Sequence, residues 1–492
     1  MLTAALKRLT QHSFVYALGP AVHKVIGFLI LPLVTVWIGS RGNYGVVEMA
    51  SVTLAIAAQV LGINLLQGMA RYYASYDTEA DRRALVGTCV LILLGTTGVA
   101  FLFAWCFRAA GAELLFGSRE YADALVLAAG ILVAQSVSQV GLRWLQLLER
   151  STLYGVVTTL KLLLETGLKV WFLAGLGLTY MGVLYSVLCG ELVVALGVGV
   201  VLVARTKLAF SRAMAKRLWT YSSPLLFSGL CGFVLHQGDR FFVLQAGGED
   251  QVGLYGLAYK LGSIGNTVVF EAFALIWYPF VFAVKDDESV RRIIRAVLVY
   301  FTLLLAFVTL GLALFSPEIV RVMADERFFE AHTVLPLVAG GYLAWGVYQV
   351  VGTVFYLRER TWLVSALVAG AAALNFALNA FLVPRHGYVG AAWATLATFA
   401  CLAGAAWIVA ERTWRIGHET LRVLAPIVLA AGLFVGARAG AEAAPAHGLA
   451  IRTLGVLLLP GILAVGGYLN RQEKDKLWEF ARRGVSTVFR RR

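Results

Sequence analysis

The sequence predicts an all-α polytopic membrane protein of about fourteen transmembrane helices, built as two parallel six-helix repeats with two additional C-terminal helices. Three observations carry that prediction. The first is composition: of 492 residues, 60% are hydrophobic and only 14% charged, with a mean hydropathy of +0.77. A soluble chain is about a quarter charged. The second is a succession of apolar runs of about 20 residues, the length that crosses a bilayer as a helix. The third is an internal repeat.

The runs fall at 14–38, 45–70, 85–107, 121–147, 153–173, 179–203, 221–244, 252–282, 293–315, 333–356, 362–383, 389–409, 421–435 and 449–469. The first begins after a basic start, as a signal peptide does. His23 and Lys24 interrupt it, however, and it then runs on to Trp37, so it reads as an uncleaved first helix. The thirteenth is short and rich in Ala and Gly. Basic residues set the orientation. Numbering loops from a cytoplasmic N-terminus, the outside loops hold only Arg41, Arg108, Arg119, Arg321, Arg327, Arg385 and Arg438. The inside loops hold clusters such as Arg205, Lys207, Arg212, Lys216 and Arg217. This bias expects both termini in the cytoplasm.

The repeat appears when the halves are laid together. Tyr44-Gly45 matches Tyr255-Gly256, Glu149-Arg150-Ser151 matches Glu359-Arg360-Thr361, and Tyr180-Met181-Gly182 matches Tyr388-Val389-Gly390. The offsets, 211, 210 and 208 residues, are nearly constant and each falls at a corresponding loop. Six is even, so both copies enter the membrane from the same side and are parallel. The expected organisation is a lobe over 1–204, a basic amphipathic linker helix over 205–220, a second lobe over 221–410, two additional helices over 411–470 and a basic tail over 471–492.

Ionisable residues inside spans are costly and mark polar interiors. The fifth helix carries Lys161, Glu165 and Lys169 at i, i+4, i+8, one face over about 12 Å of axis. Intrahelical neutralisation alone does not say why three charges lie in the membrane, so this face is read as a cavity-lining stripe. At the same places the second copy has Asn375 and Asn379, polar but uncharged. Other deep groups are Lys24 in the first helix, Arg143 in the fourth, His236, Asp239 and Arg240 in the seventh, and Lys260 and Glu271 in the eighth. Glu191 is a further deep carboxylate. The bland readings are snorkelling for Arg143 and a satisfied core residue for His236. A cavity so biased towards cations suits an anionic substrate. Trp277, Tyr278, Trp345, Tyr348 and Tyr356 offer stacking faces for sugars, although packing explains each one alone.

Several functions are disfavoured. The net charge of +14 is spread over short loops rather than gathered on one module, so no nucleic-acid partner is expected. The basic tail, interleaved with Trp478, Phe480, Val485 and Phe489, reads as an amphipathic helix on anionic lipid. The five cysteines lie in apolar runs without a CxxC pair, which argues against a zinc site or disulfide framework. The chain has no Walker loop, HExxH or GxSxG, so no enzyme and no cofactor is expected. A membrane polymerase or ligase would need a longer external loop than 316–331.

Asp239-Arg240 followed by Gly253-Leu254-Tyr255-Gly256-Leu257-Ala258-Tyr259-Lys260, with Leu374-Asn375, Asn379, Pro384, Gly387-Tyr388-Val389-Gly390-Ala391-Ala392 and Ala394-Thr395, resembles the polysaccharide transporters. These form the branch of the multidrug/oligosaccharidyl-lipid/polysaccharide exporter superfamily that flips lipid-linked oligosaccharides. Gly39 and Tyr44-Gly45 match the family's first loop, and the resemblance covers nearly the whole chain. It implies two six-helix lobes around a central cavity that work by alternating access. It also implies an undecaprenyl-pyrophosphate-linked oligosaccharide as substrate, moved across a bacterial inner membrane. The expected substrate-binding cations are Lys24, Lys161, Lys169, Arg240, Lys260 and Arg143. Glu165, Asp239 and Glu271 are the expected charge partners or carriers of a coupling ion, H+ or Na+. Lipid II flippases share the fourteen helices but have an arginine-rich first helix, where this chain has His23-Lys24. Drug exporters of the superfamily usually have twelve.

Overall fold

The computed structural model describes residues 25–284, 286–417, 419–465 and 468. The described residues are helices joined by short turns, with no strand among them. Ten stretches are long and apolar enough to cross a membrane. Two of these are double passes. Arg212–Ala283 has 72 residues and Thr361–Trp414 has 54, far more than the ~20 that span a bilayer. Each turns at one glycine, Gly248 (φ 68°) and Gly387 (φ 55°). The Ser151–Val170 helix is a further pass, less apolar because it carries Lys161, Glu165 and Lys169. With the first helix, whose start lies outside the described residues, the fourteen expected passes are accounted for.

Local chemistry sets the helix ends. Ser40, Thr78, Ser211 and Asp286 each accept a backbone N–H of the first turn, which satisfies a donor that would otherwise stay unpaired. Across 205–220 one spanning helix ends at Thr206 and the next begins at Arg212. The amphipathic stretch is therefore the first turns of a spanning helix rather than a helix of its own. The expected short helix 421–435 runs from Thr420 to Ala443. Its Ala- and Gly-rich end stays helical and carries an Arg438–Glu442 ion pair of 3.0 Å.

The repeat is written in the backbone. Gly39 and Gly248, 209 residues apart, both have positive φ, as do Gly177 and Gly387, 210 apart. Glu149 (φ 57°) and Glu359 (φ 54°), also 210 apart, share the left-handed conformation that non-glycine residues rarely adopt. The same exceptional turns recur at the same positions of both copies.

The Tyr-Gly motif marks a helix crossing. Arg41–Leu61 lies so close to the segment after Gly248 that a Cβ on Gly45 would stand 1.9 Å from the Glu249 carbonyl oxygen. One on Gly253 would stand 2.2 Å from the Arg41 carbonyl oxygen. In hydrocarbon helices gain little from apolar burial, and small residues that let backbones approach drive association. Nearby, Arg327 donates to the Gly39 carbonyl and, at 3.1 Å, to that of Val36. It thus caps the carbonyl end of the Leu31–Trp37 helix, where a cation is favoured.

The described chain falls into two compact units. One comprises the chain up to Leu261 with Glu318–Val334 and Glu359–Leu402. The other comprises Gly262–Pro317, Leu335–Arg358 and the chain from Ala403. These boundaries cut across the sequence halves, because second-half helices pack onto the first.

Candidate functional site

Two groups of buried charges lie in the first unit. The first joins three helices. Lys161 Nζ is 2.7 Å from Glu191 Oε1 and 3.7 Å from Glu165 Oε1. Ser138, from the Ala122–Leu147 helix, donates to the other Glu191 oxygen. Glu165 and Glu191 are 9% and 3% exposed, so both carboxylates leave water only because a cation and a hydroxyl meet them. Gly190 makes the space, since a Cβ there would lie 2.3 Å from Glu165 Cγ. Lys161 also lines a cavity of about 720 Å³. Within contact distance the cluster has one cation for two carboxylates, with Lys169 a second cation acting on Glu165 from further off, and Lys161 borders a cavity.

The second group surrounds Asp239 and Arg240, 1% and 5% exposed. Arg240 Nη1 donates to Asp239 Oδ1 and to the His236 carbonyl, each at 3.1 Å. Its guanidinium lies 4.4 Å from the Tyr259 ring centroid and 5.7 Å from that of Tyr255, cation–π contacts that partly replace hydration. Tyr255 and Thr395 donate to Asp239 Oδ2. The buried Arg240 Nε has no acceptor among the described residues. The break after Gln237 and the turn at Gly248 confine the pair to a short helical segment between two irregular points.

The expected site residues do not form one constellation. Lys161 with Glu165, and Asp239 with Arg240, are brought together as pairs. Lys169 continues the Lys161 face one turn beyond Glu165, within electrostatic range of Glu165 and Lys260. Arg143 donates to Gln146 at 2.9 Å. Lys260 is exposed in the first unit, and Glu271 is exposed in the second. Lys24 lies outside the described residues. Sequence reasoning noted Glu191 only as a deep carboxylate and missed Ser138, Tyr255, Tyr259 and Thr395 as partners. The lone acid in an otherwise apolar helix was the available signal for Glu191. Of the candidate stacking aromatics, Trp277 is buried against Phe273 and donates to Thr353 at 3.0 Å, a packing role.

Residues 40–332 match the family described as polysaccharide biosynthesis protein, and 267–443 match lipid II flippase MurJ. The chain is 26% identical over 235 residues to the probable low-salt glycan biosynthesis flippase Agl15 of Haloferax volcanii. That alignment covers 47% of this chain and 49% of the relative, so the chain spans about half the length of that protein. Among solved structures, the inward closed conformation of lipid II flippase MurJ superposes with a TM-score of 0.67 at 11% identity, covering 92% of this chain and 98% of the other. The Vibrio cholerae MATE transporter VcmN superposes with a TM-score of 0.56 at 18% identity, covering 84% and 98%. These identities speak to the fold alone. Because the family match spans more than half of the sequence, the chain belongs to the polysaccharide biosynthesis protein family, in the flippase branch of the multidrug/oligosaccharidyl-lipid/polysaccharide exporter superfamily.

Proposed function

We propose that this protein is a flippase that moves an anionic polyprenyl-pyrophosphate-linked oligosaccharide from the inner to the outer leaflet of a bacterial inner membrane. It works by alternating access, with both termini in the cytoplasm, and makes or breaks no covalent bond. The 1–204 and 221–410 lobes are the moving bodies. The observation that carries this reading is the buried guanidinium of Arg240, held by a single carboxylate and with Nε unsatisfied. Guanidinium is always charged and offers a planar fork of donors matched to phosphate oxygens. In the proposed cycle the pyrophosphate displaces Asp239, so the cation is never left unpaired. Lys161, Lys169, Lys24, Lys260 and Arg143 supply further positive potential along the path. Glu165 and Glu271 are carriers of a coupling ion, H+ or Na+. The family membership and the glycan flippase among the relatives support this substrate class.

The test is flipping of a fluorescent lipid-linked oligosaccharide in reconstituted vesicles. Arg240→Lys keeps the charge and loses the fork, so flipping slows while membrane expression stays normal. Arg240→Ala combined with Asp239→Asn removes both charges, so the protein folds and does not flip. Wild-type flipping by that double variant overturns the assignment. The match over 267–443 favours one second reading, a lipid II-type carrier. Competition by lipid II against the oligosaccharide lipid in the same vesicles separates the two.

A further inference from the structure

The cavity that reaches Lys161 and Leu164 carries a second group of charges. Its other end is ringed by Arg82, Arg83, Arg150 and Arg205, with Glu79 as the one acid in the lining near them. Arg82 donates to the Tyr76 carbonyl at 2.9 Å, and Arg83 pairs with Glu79 at 3.4 Å. Arg150 and Arg205 are exposed and have no acceptor among the described residues. Four guanidinium groups against one carboxylate leave this mouth strongly positive.

Beyond the mouth the wall is aliphatic. From Arg150 the Ser151–Val170 helix presents Leu153, Val157 and Leu160 before Lys161. Eleven residues of helix rise about 16 Å, close to half of a hydrocarbon core of about 30 Å. The groove is therefore about one leaflet long, from headgroup level towards the midplane. Its lips are exposed as well: Leu160 is 59%, Val193 55% and Val201 50% accessible. In a membrane-spanning chain such a surface faces hydrocarbon, so the occupant enters sideways from the bilayer. Gly197 lines the groove with nothing within 4 Å of where its Cβ would be, so the space beside it is open.

We propose that this groove is a binding site for an anionic diacyl phospholipid of the surrounding leaflet. Its phosphate lies among Arg82, Arg83, Arg150 and Arg205, and an acyl chain lies along Leu153, Val157 and Leu160. Basic pockets between transmembrane helices recognise anionic headgroups in this way. The volume, about 720 Å³, is in the range of ligand sites for molecules with tens of heavy atoms. The aliphatic wall between the arginines and Lys161 offers sugars no hydrogen-bond partner and suits an acyl chain. A lipid bound here braces the Ser151–Val170 helix against its neighbours and thereby supports the Lys161–Glu191 contact at the inner end.

The experiment is a thermal melt of the purified full chain in neutral detergent, titrated in turn with phosphatidylglycerol, phosphatidylcholine and undecaprenyl pyrophosphate. Phosphatidylglycerol raises the melting midpoint and phosphatidylcholine does not. Arg150→Gln with Arg205→Gln weakens the phosphatidylglycerol response about thirty-fold in concentration, since each arginine near an anionic lipid contributes about a factor of five. Gly197→Leu fills the chain space without touching a charge and abolishes the response. Its open surroundings let it fold even where the arginine variant does not. Equal responses to the two phospholipids, or a wild-type response in Gly197→Leu, overturn the proposal. A response to undecaprenyl pyrophosphate alone also overturns it and assigns the groove to the transported lipid.

Discussion

The two copies of the repeat place different chemistry on the same backbone. In the first copy Lys161, Glu165 and Glu191 form a charged cluster with an edge open to a cavity. In the second, 210 residues on, Ala371 and Asn375 stand where Lys161 and Glu165 would be. Asn379 donates to Asn375, and Asn375 to Thr398, all of them buried. The turns around them match: Glu149 with Glu359 and Gly177 with Gly387 have φ within 10° of each other. A neutral set therefore satisfies this position of the fold. The charges in the first copy are not needed to pack the helices, and they persist by pairing with one another across two helices, with the Ser138 hydroxyl of a third. On the proposed function, that asymmetry makes the first copy's cluster the one to test for work beyond structure.

The comparison is broken most severely by removing the shared cation. Lys161→Met leaves two buried carboxylates facing each other, and losing one partner of a buried ionic group costs about 3–5 kcal/mol. The melting midpoint in detergent is expected to fall accordingly. An unchanged midpoint would mean that the three charges are not coupled. Giving the first copy neutral residues like those of the second, with Lys161→Ala, Glu165→Asn and Glu191→Ala together, should restore most of that stability while vesicle flipping is lost. If the triple variant flips normally, the cluster is structural after all.

A smaller effect is expected at Gly190. Alanine there forces Glu165 aside, at about 1–3 kcal/mol for an overpacked site. Gly404→Ala in the second copy meets nothing within 4 Å and should stabilise its helix by about 0.5–1 kcal/mol. Opposite signs in paired melts would sharpen the contrast, and equal signs would remove it.

The smallest effect concerns pH. The Arg327 guanidinium, 2.7 Å from Asp325, holds that carboxyl below the usual carboxylate range. A depressed group contributes stability above its unfolded pKa and loses it as pH falls through the folded value. The difference in melting midpoint between wild type and Asp325→Asn should stay constant from about pH 8 to about pH 5 and close only below about pH 4, where aspartate itself titrates. A difference that fades at neutral pH would show that the Asp325–Arg327 contact is not what holds the carboxylate.

The sequence by itself determined the apolar spans, the existence of the repeat and the presence of charges within those spans. Each of these is local or periodic: a span is a run of apolar residues, a repeat is a constant offset, and a stripe is i, i+4 spacing on one helix. It also identified Tyr44-Gly45 and Gly253 through Gly256 as marked positions without saying why. The tertiary structure decided what each charge meets. The stripe on the Ser151–Val170 helix predicts a Lys161–Glu165 pair, yet the shorter contact of Lys161 is to Glu191, on a different helix. Asp239 and Arg240 are adjacent in sequence and show nothing there of Tyr255, Tyr259 and Thr395, which enclose them. The close backbone approach that Gly45 and Gly253 permit fixes one helix crossing, and Gly190 makes room for the Glu165 side chain. Two helices with the same hydropathy pattern can pack in many ways, and only small residues meeting at one crossing select among them.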